Sequence, residues 1–146
     1  MTLERRAVIL ALTLLACAVP ALAQQPPPVR PGAITLADVA GTWDGRSMVG
    51  PEDSVVATYV LVATADGIGW TMTLPHRDPR PSRVVAVGGD SVVTETGPYP
   101  STLREGELVV TRTTGHYAGD RMTGTFEARY ASGVVIRGKV AATRRR

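Results

Sequence analysis

Few side chains in this chain are placed to do chemistry. It holds two histidines, His76 and His116, and one cysteine, Cys17. Protein zinc sites use three or four convergent ligands, so two histidines without a third partner predict no metal. The motifs G-x-S-x-G, H-E-x-x-H and the Walker loop are absent, which leaves nucleophile-elbow, zinc-peptidase and P-loop chemistry without a scaffold. His76-Arg77-Asp78 matches the core of a kinase catalytic loop, yet no other kinase element accompanies it. Pro75, Pro79 and Pro81 surround it, predicting a rigid exposed loop whose functional reading is an edge for a partner. The carboxylates form no acid–base pair. Glu105 and Glu107 flank a hairpin glycine, and Glu127 falls out of phase with the apolar residues around it. Glu95 shares parity with Val93 and would point inward only beside an arginine, because an unpaired buried charge is very costly; otherwise it is a solvent-facing strand end. The expectation is a protein without catalytic residues, metal or cofactor.

Composition narrows the class further. In 146 residues, 16 Lys+Arg face 13 Asp+Glu, a formal net charge of +3. Arg5 and Arg6 sit at the start and Arg144, Arg145 and Arg146 at the end, so the part between is near neutral. Nucleic-acid binding, which wants a basic stripe on the folded face, is not expected. Asn is absent, and with it any N-glycosylation sequon. The 44% hydrophobic content suffices for one packed domain.

Residues 1–23 read as a signal peptide: Arg5 and Arg6, an apolar run from Ala7 to Val19, then Ala21-Leu22-Ala23 as an A-x-A cleavage site. The run is shorter than the roughly 20 residues a membrane-crossing helix needs, so no transmembrane span is expected. The alternative is a lipoprotein anchored at Cys17 within Leu14-Leu15-Ala16-Cys17, which resembles a bacterial lipobox. Either route places the domain in the periplasm or outside the cell. Cleavage after Ala23 leaves no cysteine, hence no disulfide and no thiolate. Residues 24–40 form a Pro-rich arm; Gln24 to Gly32 (QQPPPVRPG) favours extended polyproline II. Thr35 to Ala40 offers the one plausible helical turn.

From Gly41 onward the periodicity is two, as in half-buried antiparallel strands. Met122, Gly124, Phe126, Ala128 and Tyr130 alternate with Arg121, Thr123, Thr125, Glu127 and Arg129. Ile68, Trp70, Met72 and Leu74 alternate in the same way, as do Val134, Ile136, Gly138, Val140 and Ala142. Glycine-bearing turns separate the runs. The spacing predicts eight strands near 41–49, 54–64, 68–75, 82–88, 90–96, 107–115, 119–131 and 133–143, with a bent extra strand possible in Gly97–Leu103. An eight-strand meander without covering helices hides its edges best by closing, which predicts an all-β, eight-stranded antiparallel up-and-down barrel over residues 41–146; a two-sheet sandwich is the alternative. A barrel of this size packs solid or holds one small ligand.

The first strand, Ala40-Gly41-Thr42-Trp43-Asp44-Gly45, resembles the G-x-W opening of the calycin superfamily, which includes lipocalins, fatty-acid-binding proteins and avidins. Gly119-Asp120-Arg121-Met122-Thr123-Gly124-Thr125-Phe126 and the ending Ala142-Thr143-Arg144 add a likeness to small lipocalin-like barrels of secreted bacterial proteins. The resemblance implies that Trp43 plugs one end of the barrel and that an arginine of the last strand lies across its indole. Arg144 shares parity with Ala142, Val140 and Gly138, so it is the expected partner, in a cation–π contact worth about 0.5–2 kcal/mol. The resemblance also implies a binding module for a small, largely apolar ligand, lined by Tyr59, Trp70, Met72, Phe126 and Tyr130. Two Trp are too few for an avidin-type pocket. Gly124 and Gly138 on inward faces leave room either for a ligand or for Trp70 or Tyr130. Two other readings stand beside this one. One is a ligand-free structural or accessory barrel. The other is a module for an envelope protein, similar to periplasmic protease inhibitors, with Gln24–Gly32 as the inserting arm.

Overall fold

The computed structural model describes residues 32–146. The expected leader, Cys17 and residues 24–31 of the arm lie outside the described residues. Eight strands follow in order: β1 Gly41–Val49, β2 Ser54–Ala63, β3 Thr71–Thr73, β4 Arg80–Gly88, β5 Ser91–Pro100, β6 Leu108–Ala118, β7 Arg121–Tyr130 and β8 Val135–Arg144. Each pairs antiparallel with its neighbour in sequence, and β8 returns to β1, with Trp43 opposite Arg144 in the register. The sheet is therefore a closed barrel, and the sandwich alternative falls. Among the described residues no helix is long and apolar enough to cross a membrane.

β7 shows why period two makes this fold. Met122, Phe126, Ala128 and Tyr130 are buried, whereas Arg121, Thr123, Thr125 and Arg129 are exposed. Two inward glycines allow backbones to meet. A Cβ on Gly124 would lie 1.9 Å from Thr114 O, and one on Gly138 would lie 2.1 Å from Met48 O and 2.6 Å from the Phe126 ring. The space at Gly138 is thus taken by Phe126 and by the facing strand, not by Trp70 or Tyr130.

Two strands differ from the periodic reading. β3 is three residues long, not the expected span over 68–75, because Asp66 captures the backbone ahead of it. Its Oδ1 accepts from Thr64 Oγ1 at 2.5 Å, Ile68 N at 2.9 Å and Gly69 N at 3.4 Å. These amides are lost to a ladder, Ile68 is left exposed, and pairing starts only at Thr71. β5 runs on to Pro100 through a register shift between Thr96 and Tyr99. Gly97–Pro100 is therefore the end of β5, and no separate bent strand exists there.

The strand polarity sorts the connections to two poles. One pole holds α1, Leu36–Val39, with the starts of β1, β5 and β7 and the C-terminal end of β8. The turn forms because Thr35 and Asp38 make a reciprocal capping box: Asp38 N donates to Thr35 Oγ1 and Thr35 N to Asp38 Oδ2. The opposite pole carries the β1–β2, β3–β4, β5–β6 and β7–β8 connections.

Candidate functional site: a sealed pole and a hydroxyl-lined lumen

Trp43 and Arg144 close the α1 pole. Trp43 is fully buried, and its Nε1 donates to Val39 O at 2.9 Å. The Arg144 guanidinium carbon lies 4.6 Å from the centre of the Trp43 ring, within the ~6 Å range of a cation–π contact. Tyr117 meets the indole edge-on, with ring centres 5.1 Å apart at 80°. Arg144 Nη1 donates to Ala40 O and Nη2 to Asp38 O, both at 2.6 Å. One side chain thus covers the indole and satisfies carbonyls at the end of α1, which has too few residues to pair them internally. Asp120 adds an ion pair at 3.3 Å to Nε. Arg145, one residue on, faces outward and pairs with Asp44, as the two-residue repeat of a strand requires.

Inside the wall lies a cavity of about 70 Å³. Of the residues expected to line a pocket, Tyr59, Met72, Phe126 and Tyr130 do so. Trp70 does not. It is fully buried beyond the cavity, with its Nε1 donating to Thr64 O at 2.8 Å, so it belongs to the packing of the α1 pole.

The remaining lining was not legible as such. Ser82, Thr94, Thr96, Thr111 and Thr113 bring hydroxyls to one side, while Leu61, Met72, Met122 and Phe126 face them. Ser82 and Thr96 satisfy each other at 2.5 Å, and Tyr99 OH bonds Thr111 Oγ1 at 2.9 Å. Of the two readings of Glu95, the solvent-facing strand end holds, because the threonines beside it turn inward where hydroxyl partners wait. Val92, Thr94 and Thr96 are the buried set, so Glu95 points outward, where it pairs with Arg83 at 2.8 Å and Arg112 at 3.8 Å.

Tyr59 and Tyr117 also reach the cavity. Burial pushes both phenols upward, Tyr117 to about 12, and Tyr59 is pushed further by its proximity to Tyr117. Gly45 makes room for Tyr59: a Cβ there would lie 2.3 Å from the ring. Towards the far pole, Ser101, Thr102 and Leu103 of the β5–β6 connection line the cavity. That loop is fastened by Ser101 Oγ, which accepts from Leu103 N and Arg104 N at 3.0 Å each. Arg104 lies over the Tyr130 ring at 5.4 Å and pairs with Glu107 at 2.7 Å.

Outside the barrel, Ser91, His116 and Asp90 gather the residue types of a hydrolase triad. The arrangement is wrong for one. His116 Nδ1 lies 3.0 Å from both Ser91 Oγ and Asp90 Oδ1, so the ring does not stand between the acid and the hydroxyl as general-base activation requires. Among the described residues no group of three or more His, Cys, Asp or Glu converges as a metal site would need. No protein-family model, curated protein or solved structure matches the chain.

Proposed function

We propose that the barrel is a non-enzymatic binding module, acting outside the cytoplasm, that holds a small, largely apolar molecule in its lumen. The observation that carries this reading is an internal chamber with one apolar side and one hydroxyl side, closed at one pole by Trp43 and Arg144 and bordered at the other by the β5–β6 loop. The apolar side favours a hydrocarbon body, and the hydroxyl side favours one hydrogen-bonding group upon it. The G-x-W opening and the Trp43–Arg144 pair support kinship with calycins, and the leader supports a periplasmic or secreted location.

Volume limits the cargo. About 70 Å³ accommodates roughly two waters at ~30 Å³ each and is about half the ~150 Å³ that accepts benzene. The ligand is therefore of a few heavy atoms, or it enters as the Ser101–Glu107 loop swings outward. The same figure favours the second reading, a ligand-free accessory barrel, because small-molecule pockets run to about 300 Å³ or more. The inhibitor-like reading rests on an arm whose residues 24–31 lie outside the described ones.

Native mass spectrometry of protein isolated from its own compartment separates the first two. A stoichiometric non-covalent adduct that disappears in Ala128→Phe, which fills the lumen, is the expected result. Bare protein, together with no thermal shift from a panel of small alcohols and phenols, overturns the binding reading in favour of the accessory one.

A further inference from the structure

β2 has a complete neighbour on one side only. β1 accompanies it from Ser54 to Ala63, whereas β3 accompanies only Val60–Val62. Beyond that point the chain turns away through Leu74–Pro79, and no backbone hydrogen bond joins Ser54–Tyr59 to this loop. Over these six residues, about 20 Å of strand at ~3.3 Å each, alternate residues thus present unpaired N–H and C=O groups on the side away from β1. Such an edge is a template for another extended chain.

The outer surface beside this edge has a marked character. A depression of about 950 Å³ meets this edge at Thr58 and Tyr59, is walled on one side by Thr73–Asp78, and runs from there across the outer faces of β1, β8 and β7, over Arg46 and Arg121. Those two arginines and Arg77 form no ion pair with any described carboxylate, and Arg77 reaches only Pro100 O at 3.3 Å. Of the two carboxylates that line the depression, Asp44 is neutralised by Arg145 and Asp78 forms no ion pair among the described residues, so three free arginines face one free carboxylate. The β3–β4 loop is stiff: prolines flank it, Arg77 N donates to Leu74 O at 3.1 Å, and His76 holds a left-handed φ of 58°.

We propose that the free edge of β2, Ser54–Tyr59, accepts an extended acidic peptide segment of a partner protein as an added strand, whose carboxylates meet Arg46 and Arg77. Charge argues for this occupant over a second copy of the chain, which would set Arg46 and Arg77 against their own images. The chain's own Gln24–Gly32 is a poor candidate, because its prolines cannot donate to a ladder. A flat anionic surface does not enter a depression walled by the loop.

The probe is the end-blocked heptapeptide EVTVEVE, with KVTVKVK as its charge-reversed control. In amide hydrogen exchange followed by NMR, alternate amides of Ser54–Tyr59 should exchange freely in the protein alone. EVTVEVE should slow them at least tenfold, and KVTVKVK should not. The double variant Arg46→Glu, Arg77→Glu, both exposed and so foldable by circular dichroism, should bind EVTVEVE at least tenfold more weakly, while Arg146→Glu should bind as the parent does. No protection, or equal protection by both peptides, overturns the proposal. So does protection of the same amides without peptide in a species that sediments as a dimer, which would assign the edge to a second copy.

Discussion

Replacing Arg144 by Met keeps most of the aliphatic stem and removes the charge. The guanidinium lies 4.6 Å from the Trp43 ring centre and donates to two carbonyls at 2.6 Å. The cation–π contact contributes about 0.5–2 kcal/mol. Each carbonyl bond involves a charged donor and would contribute about 1.5–3 kcal/mol if dry, but the side chain is a quarter exposed and water can replace part of it. The expected loss is about 2–4 kcal/mol, read as a lower urea midpoint at unchanged slope by circular dichroism. Arg145→Met is the internal control. It removes an exposed pair with Asp44 and should cost no more than ~0.5 kcal/mol. A double-mutant cycle with Trp43→Phe should return a coupling of about 1 kcal/mol between positions 43 and 144. Equal stabilities for Arg144→Met and Arg145→Met, or zero coupling, would refute the view that this arginine fastens the pole.

Alkali should loosen the lumen. The phenol of Tyr117 is raised from 10.0 to about 12 and that of Tyr59 is also raised, so the fold favours the neutral form. Their contribution is present below pH ~10 and fades as pH climbs through the folded values; for Tyr117 it is about 3 kcal/mol. Tyr117→Phe should flatten the fall of the urea midpoint between pH ~10 and ~12, the interval between its unfolded and folded values. Acid should open the α1 pole. The Thr35 amide, and secondarily its hydroxyl, hold the Asp38 carboxyl below its usual range, so that contribution is present above pH ~3.8 and lost as pH falls through the lowered value. Asp38→Asn should remove this part of the acid dependence of exchange at the α1 amides. Gly124→Ala should be severe, at least ~3 kcal/mol or outright failure to fold, because its Cβ would fall 1.9 Å from a backbone oxygen. Gly88→Ala, with open space around it, should stay within ~0.5 kcal/mol by thermal melting.

The closed meander was readable because alternation in β7 and β8 is strong and the turns carry glycine. What escaped the pattern has identifiable physics. Ile68 and Trp70 keep the phase of a strand, but a carboxylate two residues earlier claims the amides that pairing would use. In β5 the parity of Glu95 with Val93 left its direction open, and nothing in the pattern marked Thr94 as inward. In the barrel the threonine is inside, since a neighbouring hydroxyl can satisfy it there, as Ser82 does for Thr96. The lumen's polar side was therefore hidden in the rule that polar means out. Trp43 and Arg144 were legible together because each sits in phase at the end of its own strand. The gap beside β2 was not, because it follows from where β3 stops.

The described chain enters and leaves the barrel at one pole, where Gly32–Val39 runs into β1 and Arg144–Arg146 follows β8. Gly32 and Arg146 therefore lie at one pole, and the β5–β6 loop with its Ser101–Leu103 lining lies at the other, as the bowl of a spoon lies away from its handle. If the lumen takes up the proposed small molecule through the Ser101–Glu107 side, immobilising the protein by its C-terminus should leave that uptake unhindered.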